Sequence, residues 1–374
     1  MTGPWRLLID DGVGAAEGLA TDEQLARDAP RRGTSLRLYT YRTHCALIGR
    51  FQDPEVELDL AACADTGTEV CRRPTGGGAI VMGRDQLGIT LAAPLITAEA
   101  GAHPRLLLAR YAEGVRRGLA ALGVATELRG KNDLVAGGRK IAGLGIAVLD
   151  GGVLFHASVL VDLDVAFMLR ALRVPARALG ADAVGAVERR ITTVRTEIGQ
   201  AVGVDAVRDA VARGFASAFE VTLAAGTRGS EERAGAEALR RERYATSAWL
   251  FPPGLRAERH GEGAVETSLG TVRADLVLAG GVIANVIVSG DFLGSERAVD
   301  AFESSLRWIR PSRRLLLERA RDCSMDGSTG VSAQALADAV WRACVDARAA
   351  GTTTGACYYP RAATSAAGFA GGAQ

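Results

Sequence analysis

Apolar side chains recur along this chain at two different periods, and the two alternate in blocks. From Pro104 to Leu122, Leu108, Tyr111, Val115, Leu119 and Leu122 fall on one helical stripe, while Glu113, Arg116 and Arg117 lie off it. A second helix is predicted from about Asp205 to Leu223, with Val207, Val211, Phe215 and Phe219 on one face. Between these helices the runs ELRGKNDLV, RKIAGLGIAVL and VLFHASVLV are separated by Gly137-Gly138 and by Asp150-Gly151-Gly152. Glycine turns between apolar runs are hairpin signals, so this region is predicted to be an antiparallel meander.

From Gly226 to Arg243 the chain is charged and rich in Ala, Glu and Arg; YATSAWLFPPG closes that segment and RAERHGEG reads as a polar linker. Strands are expected around Val265 to Leu278 and Val282 to Ser289, followed by helices begun by Ser295 and Ser332 as N-caps. The pattern predicts an α+β protein: a mixed or antiparallel sheet flanked by helices over residues 1–255, then a small α+β accessory domain over 262–360. The last residues, 361–374 (RAATSAAGFAGGAQ), lack charge pairs and apolar period and are expected to be a disordered tail. There is no internal repeat.

Composition narrows the choice of partner. The 374 residues carry 44 basic and 43 acidic side chains, a net charge of +1, so no global field would hold nucleic acid or a membrane surface. Charge or glycine breaks the apolar runs well before bilayer-spanning length, and MTGPWRLLIDDGVG has no signal-peptide pattern, so a cytoplasmic protein is expected. The six cysteines and four histidines show no C-x-x-C and no paired spacing, which argues against a zinc site and against a disulfide framework.

Any anion site must therefore be local, and VCRRPTGGGAIVMG, from Val70, is the candidate. Three consecutive glycines let backbone N–H groups turn to one side, and Arg72 and Arg73 add the bidentate donors that clamp carboxylate or phosphate. A partner for this loop lies in GGRKIAGLG, where strand alternation sends Arg139 and Lys140 to opposite faces. An inward lysine in a sheet needs a carboxylate or an anionic ligand. Upstream, Lys131-Asn132-Asp133 puts an amide and a carboxylate on the neighbouring strand of the same hairpin.

Five blocks in order, GRFQDPEVELD, RRPTGGGAIV, KNDLVAGGRKIAGLG, FHASVLV and YATSAWLF, resemble those of lipoate-protein ligases in the biotin/lipoyl attachment superfamily, whose fold is class II synthetase-like. EGLATDEQL is similar to that family's first helix, and VRADLVLAGGVIANVIVSGDFLG to its accessory domain. The resemblance runs from about Trp5 to the low 340s. It implies an enzyme that activates lipoate with ATP and Mg²⁺ as lipoyl-adenylate and passes the acyl group to a lysine of a lipoyl domain. The acceptors it implies are 2-oxoacid dehydrogenase E2 subunits or the glycine cleavage H protein.

Carried over residue by residue, Lys140 matches the lysine that bridges the acyl carboxylate and the α-phosphate, acting electrostatically. Arg72, Arg73, Thr75, Gly76, Gly77, Gly78, Ala79 and Ile80 match the loop over the acyl chain and adenylate. Lys131, Asn132 and Asp133 match the stretch beside the phosphates, where Asp133 either binds Mg²⁺ or helps deprotonate the acceptor amine. His156 matches a histidine in a block usually reading His-Gly-Thr; here it reads His156-Ala157-Ser158. The glycine-loop strand and FHASVLV are expected to form a tunnel for an eight-carbon chain, at about 0.8 kcal/mol per methylene buried.

One block departs from the family. Where a His-Asp pair is usual after the glycine loop, this chain has Met82-Gly83, which places methionine beside the expected adenine pocket. The alternatives within reach are an octanoyltransferase of the same superfamily and a non-catalytic lipoyl-domain binder. The transferases carry the acyl group on a cysteine shortly upstream of the lysine block, and this chain has none between Cys71 and Cys323. A binder has no use for an adenylate clamp.

Overall fold

The computed structural model describes residues 3–95, 104–173, 182–251, 260–268, 270–324 and 331–349. The segment expected to be a tail, 361–374, lies outside the described residues. In chain order the first strands are β1 (Trp5–Val13), β2 (Ser35–Tyr41), β3 (Cys45–Ile48), β4 (Glu69–Arg72), β5 (Ile80–Met82), β6 (Gln86–Pro94) and β7 (Glu127–Arg129). They are followed by β8 (Asp133–Ala136), β9 (Arg139–Leu149), β10 (Gly152–Leu160), β11 (Leu223–Ala225), β12 (Gly261–Thr267), β13 (Gly270–Ala279) and β14 (Val282–Gly290). The longer helices are α1 (Ala15–Arg32), α2 (Pro104–Ala121), α3 (Val204–Phe219), α4 (Ser230–Leu239), α5 (Glu296–Leu306), α6 (Arg313–Ser324) and α7 (Ala333–Ala349).

The expected meander is the middle of an eight-stranded sheet ordered β11-β1-β2-β6-β10-β9-β8-β7. Its pairs from β2 to β7 are antiparallel, whereas β1 runs parallel to both β2 and β11, so the sheet is mixed. Both predicted hairpins close with two residues at positive φ, Gly137 and Gly138 at 53° and 79°, and Asp150 and Gly151 at 50° and 82°. Gly152 belongs to the strand, where a Cβ would sit 1.8 Å from the Ala26 carbonyl oxygen of α1.

Helices cover both faces. The stripe read from α2 is buried at Leu108, Tyr111, Val115 and Leu119 and meets Val207, Val211 and Phe215 of α3 over one face of the sheet. α3 ends earlier than its apolar period predicts, because Glu220 turns left-handed at φ 54° and Leu223 joins edge strand β11. α1 lies against the other face, with Leu25 and Ala26 packed on Ala92 and Leu154. A second sheet, β4-β3-β5, carries the glycine loop between β4 and β5.

The charged stretch after Gly226 forms α4 and then a π-helical turn, Arg240–Tyr244. From Gly261 onward three antiparallel strands, β12-β13-β14, pack against α5, α6 and α7 around their own core. The run expected as one strand from Val265 to Leu278 is two, since β12 ends at Thr267 and the chain reverses into β13 at Gly270. The Gly261-Glu262-Gly263 end of the predicted linker is part of β12. Ser295 and Ser332 do cap their helices, accepting from the N–H groups of Ala298 and Ala335. α6 was not anticipated, because charge surrounds its two buried positions, Leu316 and Ala320. No described helix is long and apolar enough to cross a membrane.

Candidate active site

A cavity of about 240 Å³ opens between the glycine loop and the face of the main sheet that also carries α1. Strand alternation aims β10 at it. Phe155 points to the α2 side, so His156 and Ser158 turn the other way, into the cavity. On β9, Gly143 and Gly145 supply a floor without side chains; a Cβ on Gly145 would lie 2.8 Å from Thr75 Oγ1. The wall then divides by chemistry. Leu19, Tyr39, Tyr41, Leu47, Ile80 and Met82 pack in one apolar cluster, while Arg73, Lys131, Asp133, Lys140 and Asp291 are charged.

Of the residues expected to bind or react, Arg73, Thr75, Gly78, Ala79, Ile80 and Met82 line this cavity. So do Lys131, Asn132, Asp133, Lys140 and His156. The Lys140 ammonium lies 2.7 Å from Asp133 Oδ1, and both side chains are about a third exposed, at 33% and 36%. The β8–β9 hairpin and a bulge between Leu134 and Val135 set this pair, letting Lys140 leave the strict alternation of its strand. Arg139 pairs with Glu197 at 2.7 Å, away from the cavity.

Arg72 is arranged differently from the clamp expected of it. It is buried, and its guanidinium donates to the carbonyls of Gly49, Arg50 and Gln52, and to those of Trp249 and Leu250. Burial pulls it down to about 9, still charged at neutral pH. The side chain thus ties GRFQ and YATSAWLF to β4, and it does not line the cavity. Arg73 braces the loop from inside, donating to the carbonyls of Leu47, Gly76 and Gly78. Gly76 and Gly77 do not line the cavity; Gly77, at φ 100°, donates its N–H to the Phe292 carbonyl at 3.1 Å. That N–H is therefore withdrawn from the expected nest.

Lys131 turns to Asp291, whose backbone carbonyl it meets at 2.6 Å and whose carboxylate it also contacts. Asn132 is buried and donates to the Leu144 carbonyl, so it also holds β9 in place. Met82 sits with Leu19, Tyr41 and Leu47 at the apolar end of the cavity. Among the described residues no three His, Cys, Asp or Glu side chains form a metal-ligand group.

Sequence reasoning missed the layer behind His156. Its Nε2 lies 3.1 Å from Asp22 Oδ2 and its Nδ1 3.4 Å from Thr75 Oγ1. Asp22, fully buried in α1, also accepts from Arg37 Nη1 at 2.7 Å and from the Tyr39 hydroxyl at 3.1 Å. Burial raises the Asp22 carboxyl, but Arg37 and His156 outweigh it and hold it below the usual carboxylate value. A signal did exist: Asp22 falls on the stripe of Leu19, Ala26 and Ala29, where an unpaired acid would not be tolerated. Asp291 had no local signal.

The mixed sheet, its helices and a lysine-edged cavity with an apolar end define a class II synthetase-like α+β fold. The family model for the lipoyl protein ligase A/B catalytic domain matches residues 14–216, and the chain belongs to this family of lipoate ligase and transferase enzymes. An octanoyltransferase LipM from Symbiobacterium thermophilum is 30% identical over 274 residues, covering 66% of this chain and 97% of the relative. A bipartite lipoate protein ligase of Thermoplasma acidophilum, from an archaeal lipoylation system with its E2 lipoyl domain, superimposes with a TM-score of 0.59 at 26% identity. It covers 68% of this chain and 99% of that one. A lipoate-protein ligase A bound with ATP gives a TM-score of 0.57 at 27% identity, over 67% and 98% of the two chains.

Proposed function

We propose that this enzyme is an ATP-dependent lipoate-protein ligase, with residues 1–255 as its catalytic domain and 262–360 as an accessory domain. In the first half-reaction the acyl carboxylate oxygen attacks the α-phosphorus of ATP, and the bond to pyrophosphate breaks. In the second, a lysine amine of a lipoyl domain in an E2 subunit or an H protein attacks the acyl carbon; AMP leaves and the amine loses a proton. Lys140 is the group for the carboxylate and α-phosphate, where its charge offsets the negative charge that gathers as the oxygens meet. Asp133, 2.7 Å from that ammonium, keeps Lys140 oriented and is the carboxylate available to a phosphate-bound Mg²⁺. His156 and Thr75 border the same cavity, as do Lys131 and Asn132.

The observation that carries the ligase over the transferase is chemical. Transfer through an acyl-thioester needs a thiolate at the cavity, and among the described residues no cysteine lines it. Cys71 is the nearest in sequence to the loop. Its thiol faces the Tyr244 carbonyl at 3.5 Å, and burial pushes it up to about 12. Activation of the acid as an anhydride with AMP, formed from ATP, needs no such thiolate, which supports the ligase reading.

The test is acyl-dependent release of pyrophosphate from ATP and Mg²⁺, with lipoate or octanoate and no acceptor protein. Wild type should release it, and Lys140→Ala should slow release by at least about a hundredfold. A folded wild-type protein that releases none would overturn the ligase reading.

A further inference from the structure

A second hollow lies outside the candidate active site and shares no lining residue with it. It is a surface groove of about 490 Å³, against about 240 Å³ for the cavity, between the N-terminal half of α1 and α4. Four guanidiniums line it: Arg42 just past β2, Arg228 before α4, Arg233 in α4 and Arg240 at its end. Arg240 is already neutralised, with Glu237 accepting at 2.7 and 2.8 Å. Arg42, Arg228 and Arg233 form no ion pair among the described residues. The fold nevertheless holds them in place. Arg228 donates at 2.9 Å to the hydroxyl of Thr21, which is buried in α1, and the Arg228 carbonyl accepts from Arg233. Glu232, also buried, pins the start of α4 by accepting from the Gly229 N–H and from Arg6. Arg42 extends over Gly14, where a Cβ would lie 3.2 Å from its Nη2. Three unneutralised cations around one groove repel one another, and an anionic partner relieves that repulsion.

The rest of the wall says which anion. Its apolar side chains are Ala16 and Ala236, with no aromatic ring, so neither a nucleobase nor a lipid chain finds a face to pack on. Glu17 and Glu69 line the groove too, and Glu69 is fixed there by the Ala15 N–H and the Thr43 hydroxyl. These carboxylates repel a ligand that is negative throughout, such as a polyphosphate or an anionic membrane. A protein segment spaces its carboxylates with amides, which can face Glu17 and Glu69. We propose that the groove docks an acidic segment of a partner protein, with Arg42, Arg228 and Arg233 each holding a carboxylate. Arginine suits this role because its planar fork meets a carboxylate in two parallel hydrogen bonds. The docking does not depend on the ligase reading, since no residue of the cavity takes part in it.

The experiment is fluorescence anisotropy of a labelled peptide of alternating Glu and Gly, titrated with the full chain at low salt, beside the same peptide with Gln for Glu. Wild type should bind the Glu peptide at least about tenfold tighter than the Gln peptide, and the difference should shrink as salt rises. Arg42→Gln, Arg228→Gln and Arg233→Gln combined should weaken the Glu peptide by about tenfold or more. Arg314→Gln, at an exposed arginine of α6 paired with Glu318, and Lys140→Ala should each stay within about twofold of wild type. A wild type that does not distinguish the two peptides, or a triple variant that binds as wild type does, overturns the proposal. A loss in Lys140→Ala as large as in the triple variant also overturns it, because the peptide would then sit in the cavity; an equal loss in Arg314→Gln does so by making the attraction non-specific. Tripolyphosphate that displaces the peptide at a concentration below the peptide's own Kd overturns it in favour of a phosphate ligand. If the triple variant fails to fold, Arg42→Glu is judged instead, at an exposed side chain with no hydrogen bond of its own among the described residues. It should weaken the Glu peptide by at least about fivefold, and a change under about twofold overturns the proposal.

Discussion

Asp22 carries its charge inside helix α1 because Arg37, Tyr39 and His156 all reach it. Removing the charge strands Arg37, which keeps only Asp10 at 2.6 Å as a carboxylate partner. Breaking one side of a buried ion pair commonly costs about 3–5 kcal/mol, and with Asp10 retained the lower end is expected for Asp22→Asn, measured by urea unfolding at neutral pH. The pH dependence has a definite sign. A carboxyl lowered from 3.8 in the folded state contributes stability that is present above 3.8 and is lost as the pH falls through the folded value. The gap between wild type and Asp22→Asn should therefore narrow in acid; a gap that stays constant would show that packing, not charge, accounts for it.

At the scale of elements, the hairpin that sets Lys140 beside Asp133 was legible because glycine pairs and apolar runs are local signals. The same local logic misjudged Arg72, whose neighbours in space, Gly49 to Gln52 and Trp249 to Leu250, are far away in sequence. It also passed over the crossing of α2 and α3. There Gly114, Gly118 and Gly214 let the backbones meet, and a Cβ on Gly214 would lie 2.3 Å from the Gly114 carbonyl oxygen and the Gly118 nitrogen. Ala for Gly in a helix is ordinarily stabilising by roughly 0.5–1 kcal/mol. Gly214→Ala should instead destabilise by about 1–3 kcal/mol through overpacking, read from thermal or urea unfolding.

A second element-scale prediction concerns Glu303 on α5. Burial raises its carboxyl to about 7, with the Val288 N–H opposing and Asp300 adding to the rise. The folded carboxyl holds a proton that the unfolded one has released, so its contribution to stability is full below 4.5 and disappears as the pH rises through about 7. Wild type should lose melting temperature between pH ~5 and ~8. Glu303→Gln, which cannot ionise, should lose less; equal slopes for the two proteins would remove Glu303 as the cause.

Across the whole molecule, the part after Gly261 meets the glycine loop and the segments beside it at several points. Phe292 stacks on Phe51 with centroids 4.6 Å apart, its carbonyl takes the Gly77 N–H, and Gly290 donates to the Phe51 carbonyl. Arg50 and Arg243 both reach Glu296, at 2.8 and 2.9 Å. None of these contacts has a local sequence signature, because the residues that meet lie far apart along the chain. The contact with most consequence for the site is Asp291, which lines the cavity and neutralises Lys131. On the proposed function the cavity receives a carboxylate and phosphates, so it would gain from every cation it can present, and Asp291 both occupies one and repels incoming anions. For partly exposed groups such as these, at 18% and 34%, replacing the carboxylate by an amide should be worth about 1 kcal/mol in anion affinity. Asp291→Asn should therefore tighten acyl-acid binding roughly fivefold at low salt, with the gain shrinking as ionic strength rises. Weaker binding in the variant at every salt concentration would mean that Asp291 serves chiefly to hold Lys131 and the loop in place, and that its negative charge is not the barrier to anions.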